Sequence, residues 1–153
     1  MQKQEIVRLH INTNIWTPHV TVAAIVCRHG RYLMVEEQET PQSPQVYNQP
    51  AGHLDPNESL ITAAMRETLE ETGWRFAPQG VVGIYRWTHE RENKTYVRAC
   101  FFGTAHDHNP EQPLDKGIER ALWLSRDALS LRKANLRSPL VLRCVDDYLA
   151  GKR

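Results

Sequence analysis

Glu67, Glu70 and Glu71 are the residues whose type and spacing best support chemistry. They lie in GHLDPNESLITAAMRETLEETGW, residues 52–74, where i,i+3 and i,i+4 relations place them on one face of a helix. At about 100° per residue, their carboxylates fall within an arc of roughly 100°. Like charges so spaced repel by about a few tenths of a kcal/mol per pair. Leu60, Ala63 and Ala64 interleave with the acids on that arc, so the carboxylates lean toward protein. Arg66 precedes Glu70 at i,i+4 spacing and can offset it, but no Lys or Arg follows to balance the other two. A hard divalent cation resolves this: magnesium takes oxygen ligands and favours a few carboxylates shared with substrate phosphates. The three residues alone also describe an ordinary solvated glutamate-rich face, a common feature of surface helices.

The residues around them decide between these readings. The stretch resembles the Nudix box, Gly-x5-Glu-x7-Arg-Glu-U-x-Glu-Glu-x-Gly-U, where U is a bulky apolar residue. Gly52, Glu58, Arg66, Glu67, Glu70, Glu71 and Gly73 occupy its fixed positions. A chance match at a given start is on the order of 10⁻⁸ to 10⁻⁹ at ordinary residue frequencies. Thr68 and Trp74 depart mildly from the bulky apolar positions. The resemblance implies that Glu67, Glu70 and Glu71 are the metal and catalytic glutamates. It implies that Arg66 orients them, that the Ala51 carbonyl is a further metal ligand, and that Gly52, Glu58 and Gly73 brace the loop and end the helix. Magnesium or manganese is the implied cofactor. Such an ion acidifies water, polarises phosphoryl oxygens and fixes in-line geometry, and Glu67 can take the water's proton. Many Nudix enzymes carry a further acid before the isoleucine that begins a late strand. Here Gly117 precedes Ile118, leaving Asp115 and Glu119 as nearby substitutes or plain surface charges.

The likeness extends over residues 17–148, through PHVTVAAIV, VYNQPAGHLDPNESL, YRW and NLRSPLV, and is strongest to the bacterial NudJ-type branch of the family. That branch implies release of phosphate from nucleoside tri- and diphosphates and from hydroxymethylpyrimidine pyrophosphate. A Nudix pyrophosphatase acting on ADP-ribose or another linked nucleoside diphosphate is the alternative enzyme. A non-catalytic nucleotide-binding module is the alternative of another class, disfavoured because all the box acids are present. His53, His106 and His108 read mainly as loop histidines. Trp16, Trp87 and Trp123 read first as packing residues, and second as surfaces on which a base could stack.

The elements that must position these groups follow from periodicity and turn chemistry. Residues 5–11 suit a short strand within an N-terminal extension, residues 1–16. Residues 19–27 (HVTVAAIVC) and 31–36 (RYLMVE) read as strands joined by a His29-Gly30 hairpin turn. Residues 46–49 and 51–54 read as short strands flanking Pro50. Asn57 is the expected N-cap of a helix over 58–72, which Gly73 stops. Residues 81–87 and 96–105 form a strand pair joined by THERENKT, and 120–124 another strand. Residues 125–131 and 138–149 read as helices, the latter amphipathic. Strands surround helices without regular alternation, so the expected class is α+β: an α/β/α sandwich of Nudix type around a central mixed sheet.

A chain of 153 residues fits one domain with a substantial core. The formal net charge of +1, without a basic stripe, disfavours nucleic acid as the main partner and leaves a small phosphorylated substrate. Cys27, Cys100 and Cys144 are widely spaced and read as small buried hydrophobes rather than a disulfide or zinc framework. The polar N-terminus and the lack of a long apolar run predict a cytoplasmic protein without a membrane partner.

Overall fold

The computed structural model describes residues 14–152. The strand expected over 5–11 lies outside them.

Strand β1 (His19–Arg28) is the centre of the molecule. Its run Val22 to Val26 is buried, as a β-branched and apolar stretch covered on both faces must be. His29 and Gly30 both adopt left-handed φ, 51° and 72°, and fold the chain into β2 (Arg31–Glu37). Two positive φ values in a two-residue loop match the right-handed twist of the strands. Strands β3 (Val46–Asn48) and β4 (Ala51–His53) flank Pro50; β4 pairs with β1, and β3 with β2. Beyond helix α1 (Leu60–Thr72) come β5 (Arg75–His89) and β6 (Lys94–His106), joined by a single 3-10 turn at Glu90–Glu92. The chain ends with β7 (Ile118–Ser125), the short α2 (Arg126–Leu131) and α3 (Leu140–Leu149).

The sheet runs β3-β2-β1-β6-β5, with β4 beside β1 and β7 beside β2. Among the paired strands of the described residues only β1 and β6 run parallel and the other strand pairs are antiparallel, so the sheet is mixed; an isolated parallel bridge also joins Tyr47 to Leu136. Alternation along β1 divides the core. Ala23 and Ile25 join Tyr32, Met34 and Cys100 against Val141, Cys144 and Val145 of α3. Val22, Ala24 and Val26 join Leu33, Ala99 and Phe101 against Ala63 and Ala64 of α1. Helices therefore cover both faces, giving the expected three-layer α+β arrangement. Tyr85 Oη donates to Asp147 at 2.8 Å, tying β5 to α3.

Several boundaries differ from expectation by a residue or more, and three of them are informative. The N-cap of α1 is Ser59, whose hydroxyl accepts from the Thr62 N–H at 3.0 Å. Asn57 instead takes φ 64° in the preceding turn, a conformation asparagine tolerates better than most residues. The helix consequently begins at Leu60. Strand β5 begins at Arg75, because Pro78 and Gly80 sit on a strand with one free edge and are absorbed by register shifts against β6. Helix α3 begins at Leu140, after Pro139. Gly73 ends α1 as expected, with φ 72° and its N–H on the Leu69 carbonyl.

Candidate active site

Helix α1 turns Ala63, Ala64, Glu67, Thr68, Glu71 and Thr72 inward, so two of the three acids are buried. The departures from bulky apolar character are accommodated locally. Thr68 Oγ1 donates to the Ala64 carbonyl at 2.8 Å, and Trp74 packs against the Arg28 guanidinium, 4.7 Å from its ring centroid.

Arg66 organises the acids more widely than an i,i+4 contact alone. Its Nη1 donates to Glu67 at 2.8 Å and to Glu70 at 3.2 Å. Its Nε and Nη2 grip Glu58 bidentately at 3.1 and 2.7 Å, and Nη2 also donates to the His53 carbonyl. Such a planar fork fixes direction as well as charge. The hydrogen bond from Arg66 holds the Glu58 carboxyl below its usual range. Glu58 also accepts from the Asp55 N–H at 2.7 Å, so the loop and the helix are clamped together.

Glu71 accepts the Ala51 N–H at 2.8 Å. In the β1/β4 register, Ala23 faces Ala51 between bonded pairs, so the Ala51 N–H and carbonyl both point away from β1 and toward the helix side. Burial pushes the Glu71 carboxyl up to about 9, with Glu37, Glu67 and Asp115 adding repulsion against the help of Ala51. Burial also raises Glu67, opposed by Arg66. Gly52 is required here by contact: a Cβ would lie 2.2 Å from the Glu67 carboxyl carbon.

Asp115 reaches this centre from the loop before β7, held by its N–H on the Glu70 carbonyl at 3.0 Å. Carboxylate oxygens of Glu67, Glu70 and Asp115 lie within 4.8 Å of one another. Glu119 is exposed on β7 and outside this group. One buried, one half-buried and one exposed carboxylate together form an all-oxygen donor set that can hold a hard divalent cation.

Beside the acids, Ala51, Gly52 and His53 form one rim of a cavity of about 350 Å³. Trp87 and Tyr96 stack with centroids 5.9 Å apart and form part of its wall. His53 donates to or accepts from His19 at 3.3 Å. The other candidates fall elsewhere. His106 pairs with Asp107, His108 stacks on Trp74, Trp123 packs edge-on to Trp74, and Trp16 is exposed. The polar floor of the cavity, Asn48 and Arg98, went unread in the sequence because its members come from β3 and β6 and carry no shared spacing.

Residues 17–144 match the NUDIX domain family. The chain belongs to the Nudix family. It is 38% identical over 139 residues to phosphatase NudJ of Escherichia coli strain K12, covering 91% of this chain and 88% of that protein. The NudJ phosphatase of Shigella sonnei matches equally. A NUDIX hydrolase from Nitrosomonas europaea superposes with a TM-score of 0.87 at 47% identity, over 90% of this chain and 92% of its own. A bifunctional NMN adenylyltransferase/ADP ribose pyrophosphatase from Francisella tularensis, with AMP and a manganese ion, shares the fold at a TM-score of 0.73 and 17% identity. That match covers 95% of this chain and 45% of that one. The protein is thus a Nudix hydrolase with NudJ-like relatives; this family generally uses a divalent metal, and the cluster of Glu67, Glu70 and Asp115 could hold one. No helix among the described residues is long and apolar enough to cross a membrane.

Proposed function

We propose that this Nudix hydrolase is a magnesium-dependent phosphohydrolase, releasing orthophosphate from nucleoside tri- and diphosphates and from hydroxymethylpyrimidine pyrophosphate. The observation that carries this reading is continuity: strand β4, from Ala51 to His53, borders both the acidic centre and the ring-walled cavity. A phosphate chain at the acids therefore leaves an attached ring within reach of Trp87 and Tyr96. The NudJ relatives support the choice of phosphatase over pyrophosphatase.

Glu67, Glu70 and Asp115 would hold the magnesium, with Glu71 and the Ala51 carbonyl beside them; manganese suits the same oxygen donors. When bound, the ion supplies positive charge to phosphoryl oxygens and acidifies water. Arg66 keeps Glu67 and Glu70 in fixed rotamers through its shared Nη1. Glu67, oriented by Arg66, would take the proton of the attacking water. The water oxygen forms the new bond to phosphorus, and the bridging oxygen leaves with the shortened substrate. Stacking without base-edge specificity fits a broad choice of nucleotide, because every base has a π-face.

Phosphorus NMR of a magnesium reaction with a nucleoside triphosphate tests the reading. Orthophosphate from triphosphate and then diphosphate is expected. A pyrophosphate product, or a requirement for a linked nucleotide such as ADP-ribose, would move the protein to the alternative enzyme.

A further inference from the structure

The cavity floor contains a buried cation whose donors are only partly used. Arg98 on β6 is 6% exposed and faces the cavity beside Asn48. A guanidinium has five N–H donors. Here Nη1 donates to Gln49 Oε1 at 3.0 Å and Nη2 to Asn48 Oδ1 at 3.3 Å. Its Nε has no partner, the one such buried side-chain atom among the described residues. Leaving a buried charged donor unmet is costly, and native proteins rarely do so without a reason.

The surrounding amides make the arrangement rigid. Gln49 is itself buried and donates through Nε2 to the Val141 carbonyl at 2.7 Å, so its Oε1 must face Arg98. Asn48 is oriented likewise, presenting Oδ1 to Arg98 and its amide N–H to Glu37. Two carboxamides thus fix the guanidinium in one pose, while the nearby Glu37 carboxylate on the same cavity offsets its charge without occupying its remaining N–H groups. Arg98 lines the same cavity as Trp87 and Tyr96, and each of its Nη atoms keeps a second N–H beyond the one given to an amide.

We propose that Arg98 is a specificity-determining residue, donating through the second N–H of an Nη atom to an acceptor atom on the edge of a heteroaromatic ring stacked at Trp87. This rests on the reading that the cavity receives the organic part of the phosphorylated substrate. Pyrimidines and purines all carry ring-nitrogen or carbonyl acceptors, so the contact selects a heteroaromatic ring over an apolar one without selecting strongly among bases. Stacking supplies the sequence-tolerant part of the affinity, and Arg98 supplies the polar part.

Two non-hydrolysable probes separate these contributions: the methylenebisphosphonate esters of pyrimidinylmethanol and of benzyl alcohol, equal in size and differing in ring acceptors. Binding is measured by calorimetry with magnesium. Wild type is expected to bind the pyrimidine probe at least about tenfold more tightly, as a hydrogen bond to a charged group warrants. Arg98→Met is expected to bring the two probes within about twofold of each other, whereas Trp87→Leu weakens both together. Equal affinity of wild type for the two probes overturns the proposal. So does a tenfold preference that survives Arg98→Met, or an equal loss for both probes in that variant, which marks a purely structural arginine. If Arg98→Met does not melt cooperatively, Arg98→Lys keeps the charge but loses the planar fork, and a diminished preference is expected there. Because the probes are not cut, the result stands apart from which phosphate bond the enzyme breaks. A pyrophosphate product would overturn the proposed activity and leave the assignment of Arg98 to be decided by binding alone.

Discussion

The acids of the centre are held by more than one device, and this sets what the removal of each should do. Glu67 and Glu70 share the Nη1 of Arg66, whereas Glu71 is tied to the backbone of Ala51. Glu67→Gln is expected to lower kcat by roughly 10²- to 10⁴-fold, the range for a lost general base, with an unchanged circular dichroism spectrum. Asp115 and Glu119 separate cleanly by position, since only Asp115 approaches Glu67 and Glu70. Asp115→Ala should therefore give a severe kinetic defect and Glu119→Ala a mild one; steady-state assays at saturating magnesium decide this, and the reverse order would remove Asp115 from the centre. The box acids were legible because helical periodicity is local and the seven-position pattern is stringent. The choice between Asp115 and Glu119 was not, because it depends on a tertiary bond from the Asp115 N–H to the Glu70 carbonyl. Arg98 was still less legible: an arginine inside an apolar strand has no sequence signal until Asn48 and Gln49 are seen to surround it.

Helix α1 and the strand before it act as one unit, joined where Gly52 lets the Glu67 carboxylate approach the β4 backbone. Adding a methyl group at Gly52 intrudes 2.2 Å from that carboxyl group, while Arg66 resists its displacement. Gly52→Ala is thus expected to fold and to lose most activity, as judged by melting and turnover on the same sample. The start of α1 makes a separate test. Ser59→Ala removes the hydroxyl that accepts the Thr62 N–H and should cost about 1 kcal/mol, or about 2–4 °C in Tm. Asn57→Gly should be nearly neutral, because residue 57 occupies a left-handed turn rather than the cap. A larger loss at Asn57 than at Ser59 would contradict the observed boundary. Both residues are good caps by type, so the sequence did not choose between them; the clamp of Glu58 on the Asp55 N–H places the turn earlier and leaves Ser59 to begin the helix. In the same way, the early half of β5 was hidden by Pro78 and Gly80, whose cost in a strand falls when one edge is unpaired.

Across the whole molecule, the acidic centre couples stability to pH and to metal. Burial raises the carboxyl groups of Glu71, Glu67 and Glu37 above their ordinary range, Glu71 to about 9. A folded-state pKa above the unfolded value means that the native protein binds the proton more tightly. The stability so gained is complete below the unfolded pKa of about 4.5 and is lost as pH rises toward the folded value. Metal-free protein should therefore melt at progressively lower temperature between pH 7 and 9. His53, whose pKa is lowered first by burial and then by His19, gains charge only below its ordinary 6.5 and does not produce this trend. Glu71→Gln keeps an oxygen to accept the Ala51 N–H but carries no proton to lose, so its metal-free melting curve should be flatter with pH and higher at pH 9. Magnesium acts by the other route, favouring the ionised acids. At about 100 times its Kd it should add about 2.7 kcal/mol, or about 5–10 °C, to wild type and much less to Glu71→Gln. Differential scanning calorimetry of the two proteins, with magnesium and with chelator, supplies the comparison. Parallel pH profiles for wild type and variant without metal would show that Glu71 ionises freely in the fold. An equal magnesium shift in both would place the ion away from Glu71.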